Sequence, residues 1–247
     1  GHVDFSAEME RTLQVLDYAV LIVSGADGVQ GHTETLWRLL RRYRIPVFLF
    51  VNKMDQKGTD RDAVLASLKE RLDHGVVDFS GVIGNEDVLT FSASAEPFAA
   101  VCRDPEETAE EIATCDEELL EAYLADGTLK TDDVRKVIHD RKLFPCFFGS
   151  ALKLSGVREF LTALGEFASC PDYTKDFGAK VFKISRDEAG VRMTHLKVTG
   201  GSLKIRDSLS PDSEEKINQI RLYSGSKFET LKEAEPGMVV AITGISD

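Results

Sequence analysis

The stretch PVFLFVNKMD (46–55) contains the strand from which the fold can be predicted. Residues 46–51 carry no polar side chain, and a strand that is apolar at every position lies inside a sheet whose two faces are covered. Asn52, Lys53 and Asp55 follow at the strand end, where open α/β sheets bind their ligands. The stretch therefore predicts a buried parallel strand that ends at a binding site.

Helical and strand patterns alternate on both sides of this stretch. YAVLIVS (18–24) is an apolar run of strand length, and residues 36–43 repeat leucine and tyrosine at helical spacing before the next strand begins. PCFFGSA (145–151) is a third apolar strand. Alternation of this kind is typical of a parallel sheet covered by helices on both faces.

The segment between the second and third strands is less regular. Residues 75–103 have a mixed pattern to which we assign no element. Asp104 and Pro105 have the residue types of a helix N-cap and first turn, so we expect one acidic helix from there to about Leu124.

A second module follows a linker. Residues 169–178 contain proline, glycine and polar residues without periodicity, and the chain beyond them consists of short strand patterns separated by turn residues. This pattern predicts a small antiparallel β-barrel. We place the boundary so that residues 1–172 form the first domain and residues 173–247 form the second.

The composition of the 247 residues argues against several kinds of protein. A formal net charge of −12 disfavours nonspecific coating of nucleic acid, so any RNA contact has to be local. The sequence has no run of about 18 apolar residues to span a membrane, and its four cysteines lack the spacing of a zinc site or a disulfide framework. We therefore predict a cytoplasmic location and no membrane partner, and we assign no metal ligand.

The polar residues after the strand have the chemistry of a guanine site. The Asp55 carboxylate can accept hydrogen bonds from an N–H and an adjacent NH₂, which guanine presents and adenine lacks. Asn52 can join this loop to the neighbouring one, and the aliphatic part of Lys53 can cover the flat face of the base. Backbone N–H groups of residues 149–151 are placed to meet the guanine carbonyl oxygen. An N-K-x-D turn by itself also occurs by chance at other strand ends. On this motif alone, a guanine site and a chance match both stay open.

Three motifs in one order carry a family resemblance. GHVDF (1–5), NKMD (52–55) and GSAL (149–152), followed by a small barrel, resemble the translational GTPases of the elongation factor G class over nearly the whole chain. The resemblance implies an α/β fold in which an incomplete parallel-sheet P-loop GTPase domain is followed by a small antiparallel β-barrel. The first domain would then be the C-terminal part of a GTP-binding domain.

The resemblance also implies roles for individual residues. Gly1 matches the glycine whose N–H meets the γ-phosphate, and His2 matches the histidine that helps to position the attacking water in catalysis. The parent protein would bind GTP or GDP with Mg²⁺ and would act on the ribosome, with contacts to RNA and protein. Guanine binding is assigned to Asn52, Lys53, Asp55, Ser150, Ala151 and Leu152.

Within this class, three segments look most like the tetracycline-resistance ribosomal protection proteins: NKMDQKGTD (52–60), LLEAYLADG (119–127) and LFPCFFGSA (143–151). In those proteins the GTP-bound form docks on the ribosome, dislodges tetracycline and leaves after hydrolysis. QGHT (30–33) departs from their usual sequence. An elongation or release factor, and a non-catalytic module that binds guanine nucleotides, are the alternatives.

The phosphate-binding half of such a site has no counterpart in the sequence. The motif G-x-x-x-x-G-K-[ST], which cradles the phosphates, does not occur in the 247 residues. We therefore expect a fragment that begins after the phosphate loop, does not hydrolyse GTP and holds no nucleotide tightly. We also expect self-association through residues 18–24, because a sheet that lacks its first three strands leaves this apolar strand at an edge.

Overall fold

A computed structural model of the chain describes residues 6–84, 87–91, 104–209 and 214–245. The chain divides into two compact units, of which one comprises residues 17–169 and the other comprises the described residues of 1–16 and 170–247. We call the first the α/β unit and the second the β unit.

A first helix, α1 (Ser6–Leu13), belongs to the β unit. In chain order the elements of the α/β unit are β1 (Ala19–Ser24), α2 (Gly31–Arg42), β2 (Val47–Asn52), α3 (Arg61–Arg71), β3 (Val76–Asp78), β4 (Val82–Gly84), β5 (Leu89–Phe91), α4 (Pro105–Ala113), α5 (Glu117–Asp126), α6 (Thr131–His139), β6 (Phe144–Phe148) and α7 (Val157–Phe167). Strands and helices alternate from β1 to α3, as the sequence predicts, and in the described residues three short strands and three helices then precede β6 and α7.

The main sheet has the strand order β1-β2-β6-β3, and all its pairs are parallel. Strands β2 and β6 lie in the middle, and their apolar side chains are buried on both faces, as the sequence predicts. Because the strands run in one direction, β2 and β6 end side by side, and the loop after each begins at the same edge of the sheet. The predicted parallel sheet with helices is confirmed.

Strand β1 differs from the expectation that both faces of the sheet are covered. It lies at the end of the sheet, and its side chains alternate, with Leu21 and Val23 buried while Val20 and Ile22 are exposed. Ile22 exposes 63% of its surface. The apolar run therefore identified a strand correctly but did not show that one face of it meets solvent.

The described part of residues 75–103, to which the sequence analysis assigned no element, contains three short strands. Strand β3 joins the far side of β6 as a fourth parallel strand, and β4 pairs with β5 in an antiparallel hairpin. Each of these strands has only three residues. Three residues are too few for either a helical or an alternating pattern to be recognised.

The single acidic helix predicted from Asp104 is wrong, because the structure has two helices, α4 and α5. Asp104 caps α4 as expected. The chain then turns at Thr114, whose hydroxyl donates to the Glu111 carbonyl oxygen at 2.9 Å. Asp116 begins the second helix, since its carboxylate accepts the Leu119 N–H at 3.1 Å.

The β unit is antiparallel, as predicted. Its larger sheet has the order β11-β10-β13-β8-β7, and strands β12 and β9 form a separate two-stranded pair. The strands are β7 (Gly178–Arg186), β8 (Arg192–Gly200), β9 (Leu203–Lys204), β10 (Gln219–Ser224), β11 (Lys227–Leu231), β12 (Glu233–Ala234) and β13 (Val239–Thr243). Apolar side chains from five of these strands share one core, which includes Leu196, Val198, Leu203, Ile220, Ala234, Val240 and Ile242.

Helix α1 and residues 14–16 belong to the same compact unit as the strands of the β unit. The Lys183 ammonium pairs with the Glu8 carboxylate at 3.0 Å. The buried Lys197 donates to the Val15 carbonyl oxygen at 3.2 Å. The domain boundary that we placed between residues 172 and 173 stays a prediction.

Candidate functional site

The side chain of Asn52 joins the loops that follow β2 and β6. Its Oδ1 atom accepts the N–H of Lys53 at 2.8 Å and the N–H of Ala151 at 2.9 Å. The second bond connects residues 99 positions apart in sequence. Asn52 is therefore placed to fix the distance between the two loops, which is the contact that the sequence predicted for it.

Backbone hydrogen bonds around Gly149 hold the same two loops. The Met54 N–H donates to the Gly149 carbonyl at 3.0 Å, and the Gly149 N–H donates to the Val51 carbonyl at 2.9 Å. A Cβ atom on Gly149 would overlap the Ser155 carbonyl oxygen and lie 2.9 Å from Cζ of Phe50. Position 149 therefore has room only for glycine.

Lys53 has a backbone conformation that side chains usually avoid. Its φ is 65°, in the left-handed region. This conformation is about 1–2 kcal/mol less favourable than the right-handed one for a residue that has a Cβ atom. The hydrogen bond from its N–H to Asn52 Oδ1 holds this conformation. Strained backbone conformations of this kind are common at functional sites. Here the conformation of Lys53 changes the direction of the chain between the end of β2 and Asp55.

Asp55 faces the loop after β6. The Ser150 hydroxyl donates to its carboxylate, and this bond, supported by a bond to its own backbone N–H and by Lys153, holds the pKa of Asp55 below its usual value against the opposing effect of burial. The Asp55 side chain exposes 15% of its surface, and Ser150 is buried. The site therefore presents an ionised carboxylate beside the Ser150 turn, with part of its surface open.

The turn after β6 is closed by a pair of backbone bonds. The Ser150 N–H donates to the Ser155 carbonyl at 3.0 Å, and the Ser155 N–H donates to the Ser150 carbonyl at 3.1 Å. Leu152 lies at the tip and exposes 90% of its surface. Two backbone hydrogen bonds therefore hold the ends of the turn together, and the apolar side chain at its tip lies in solvent.

The N–H groups expected to meet a base carbonyl all have partners in the structure. The Gly149 and Ser150 N–H groups bond to backbone carbonyls, and the Ala151 N–H bonds to Asn52 Oδ1. A base carbonyl in this site would therefore share the Ala151 N–H with Asn52 or use the N–H of Leu152.

The structure brings most of the predicted site residues together. Asn52 ends β2, Lys53 and Asp55 lie on the loop after it, and the predicted residues of positions 150–152 lie on the adjoining loop. Gly1 and His2 lie outside the described residues, so their predicted roles have no structural account. Sequence reasoning did not identify Lys153, because its approach to Asp55 depends on how the turn after Ser150 closes.

Two further observations bear on ligands. In the described part of the chain, no group of three or more His, Cys, Asp or Glu side chains is placed to hold a metal ion. Within the same residues, no helix is both long enough and apolar enough to cross a membrane.

The polar groups of the two loops suit a planar ring that donates two hydrogen bonds, since a carboxylate only accepts them.

A parallel α/β unit with an N-K-x-D loop, followed by an antiparallel β unit, is the arrangement of a translational GTPase. Residues 1–169 match the family model described as elongation factor Tu GTP binding domain, and the chain belongs to that family. Residues 176–247 match the model described as elongation factor G domain 2.

The fold also occurs in solved structures. A crystal structure of a protein from Thermus thermophilus superposes on 98% of this chain with a TM-score of 0.75 and 25% sequence identity. The match covers 41% of that structure's chain, so this chain spans less than half of the length of the protein it resembles.

Proposed function

We propose that the loops after β2 and β6 form the base-recognition half of a guanine-nucleotide site. The observation that carries this proposal is the double hydrogen bond of Asn52 Oδ1, which holds the Asp55 loop against the Ser150 turn. In that position the Asp55 carboxylate accepts from N1–H and the 2-amino group of guanine, while Lys53 and Leu152 supply apolar cover from their exposed side chains. Adenine has no such pair of donors.

We propose further that the parent protein is a ribosome-dependent GTPase that protects ribosomes against tetracycline. This finer assignment rests on the three segments that look like the ribosomal protection proteins. In such a protein GTP would be bound with Mg²⁺, and His2 would help to position the attacking water. An elongation factor G is the second candidate, and the match of residues 176–247 to domain 2 of that factor favours it.

This chain by itself is proposed to be inactive in GTP hydrolysis. Phosphoryl transfer depends on charge neutralisation around the phosphates, and the sequence has no G-x-x-x-x-G-K-[ST] motif to supply it. Binding of a nucleotide would then depend mainly on the base and would be weak. A non-catalytic module that binds guanine nucleotides would have the same property, and it is the third candidate.

The test is a change of base preference. Asp55→Asn replaces one acceptor of the carboxylate by an NH₂ donor. The affinity for guanosine should therefore fall, and the affinity for xanthosine should rise, because the xanthine ring presents an N–H beside a carbonyl. Affinities of both nucleosides and of adenosine are measured by NMR titration of the purified chain. Asp27→Asn makes the same change of charge on an exposed residue of another loop and should change nothing.

Equal affinity for guanosine and adenosine in the unaltered chain would contradict the proposed site. So would an Asp55→Asn variant that keeps its guanosine affinity. GTP is added in a parallel sample, and multiple-turnover release of phosphate there would contradict the proposed inactivity alone.

A further inference from the structure

A lysine from the turn after β6 lies beside the Asp55 carboxylate. The Lys153 Nζ atom is 3.5 Å from Asp55 Oδ2. The Lys153 side chain exposes 51% of its surface, whereas the Asp55 side chain exposes 15%. The ammonium thus belongs to a half-exposed side chain, whereas the carboxylate that it pairs with is largely buried.

The turn holds the backbone of Lys153 in the place that makes this contact possible. Its N–H lies 3.2 Å from the Ser150 carbonyl oxygen and 3.4 Å from the Ser150 hydroxyl oxygen. Ser150 is in turn fixed by its two backbone bonds to Ser155 and donates its hydroxyl to Asp55. One buried serine thus positions both members of the ion pair.

The pair itself is loose. A distance of 3.5 Å exceeds the usual range of an N–H···O hydrogen bond. A pair whose ammonium is half-exposed contributes little, because solvent screens the charge and the long side chain loses entropy. A ligand that offers two well-directed N–H groups to the same carboxylate can therefore displace the ammonium at small cost.

We propose that Lys153 occupies the Asp55 carboxylate when no base is bound, and that guanine has to displace its ammonium to enter. This inference rests on the proposed function, because it concerns the same carboxylate. Both the ammonium and the edge of the base are hydrogen-bond donors, and they compete for the same oxygen atoms. Lys153 lowers the affinity for the base and keeps the carboxylate paired in its absence.

The test uses guanosine, which carries no charge and so has no phosphate attraction of its own to screen. Lys153→Met removes the ammonium and keeps a side chain of similar length, so guanosine affinity should rise about two- to fivefold, the range expected for a weak exposed ion pair. Lys57→Met is the matched control, because Lys57 is exposed on the Asp55 loop two residues from the carboxylate. It should leave the affinity unchanged.

Salt gives a second readout that a purely structural role would not move. Added salt screens the Lys153–Asp55 pair, so guanosine should bind the unaltered chain more tightly at high ionic strength. In Lys153→Met this salt dependence should disappear. An affinity that is unchanged in Lys153→Met, or that falls because the lysine supports the base, would overturn the inference.

Titration of Asp55 tests the pairing without any ligand. The Ser150 hydroxyl is the main cause of the lowered pKa of Asp55, and Lys153 is a lesser one. Lys153→Met should therefore move this pKa part of the way toward the ordinary aspartate value, as followed by carboxyl-carbon NMR. An unchanged pKa would show that the ammonium does not occupy the carboxylate and would overturn the inference.

The two proposals fail in different ways. Guanosine binding that does not respond to Asp55→Asn would contradict the proposed function, whatever Lys153 does. Binding that depends on Asp55 but does not respond to Lys153→Met would leave the proposed function standing and would remove the role of the lysine.

Discussion

Strands β1 and β2 are neighbours in one sheet and pair residue by residue, from Ala19 with Val47 to Ser24 with Asn52. Both are six residues long, and both are mainly apolar. In the described sheet β2 lies between two partners and buries its apolar side chains on both faces, whereas β1 has one partner and exposes Val20 and Ile22. Apolar composition therefore identifies a strand, but the position of the strand in the sheet decides what its side chains do.

The position of β2 also explains why the candidate site lies at its end. A strand that is held on both sides and covered on both faces gives the next residues a fixed starting point. The loop after β2 has a second fixed neighbour in the loop after β6, and Asn52 connects the two. The end of β1 has only one such neighbour in the described sheet.

The largest difference between the strands should appear in stability. Phe48→Ala removes a fully buried ring from β2 and should lower the free energy of unfolding of the α/β unit by about 3–5 kcal/mol, since it leaves a cavity in the core. The measurement is urea unfolding followed by the fluorescence of Trp37, the only tryptophan of the chain and a buried residue of this unit.

Ile22→Ala is the control on the neighbouring strand. Ile22 is exposed, so its truncation should cost less than about 1 kcal/mol in the same experiment. Similar losses for the two variants would show that β1 is as well covered as β2 and would remove the contrast between them.

A smaller loss is expected where the two loops meet. Gly149→Ala places a methyl group against the Ser155 carbonyl and the Phe50 ring, and overpacking of this kind costs about 1–3 kcal/mol. Gly165→Ala is the matched change within α7, where nothing lies within 4 Å of the added atom, and it should be neutral or stabilising. If Gly149→Ala unfolds at the same urea concentration as Gly165→Ala, the end of β2 is not the tightly packed site described above.

The smallest effect concerns association rather than folding. In the described sheet β1 pairs with β2 alone, so its outer edge can pair with a second copy of the chain, and the apparent mass in light scattering should rise with concentration. Ile22→Lys puts a charge on the exposed face of this strand and should reduce the rise. Leu161→Lys changes a similarly exposed leucine of α7 and should have no effect. An unaltered chain that stays monomeric at high concentration would contradict this prediction.

The fold and the candidate site could be predicted where the signal was continuous in sequence. Strand β2 has no polar residue before Asn52, and the N-K-x-D loop follows it directly, so both the strand and the side of the sheet were predictable. The bond from Ala151 to Asn52 was also predictable, because the ends of adjacent parallel strands lie side by side.

Features that depend on single turns or distant contacts could not be predicted in this way. The break between α4 and α5 follows from one side-chain bond at Thr114 and one cap at Asp116, within a stretch whose helical spacing continues across the break. The approach of Lys153 to Asp55 depends on how the Ser150 turn closes. Neither event leaves a periodic pattern in the sequence.

The position of α1 matters for anyone who divides the gene to study the two units apart. A β unit expressed from the linker onward would lose Glu8 as the partner of Lys183 and the Val15 carbonyl as an acceptor for the buried Lys197. An α/β unit expressed from residue 17 would keep the four described strands of its main sheet. To obtain a well-folded β unit, the α1 segment should therefore be fused to the N-terminus of the segment that begins at the linker.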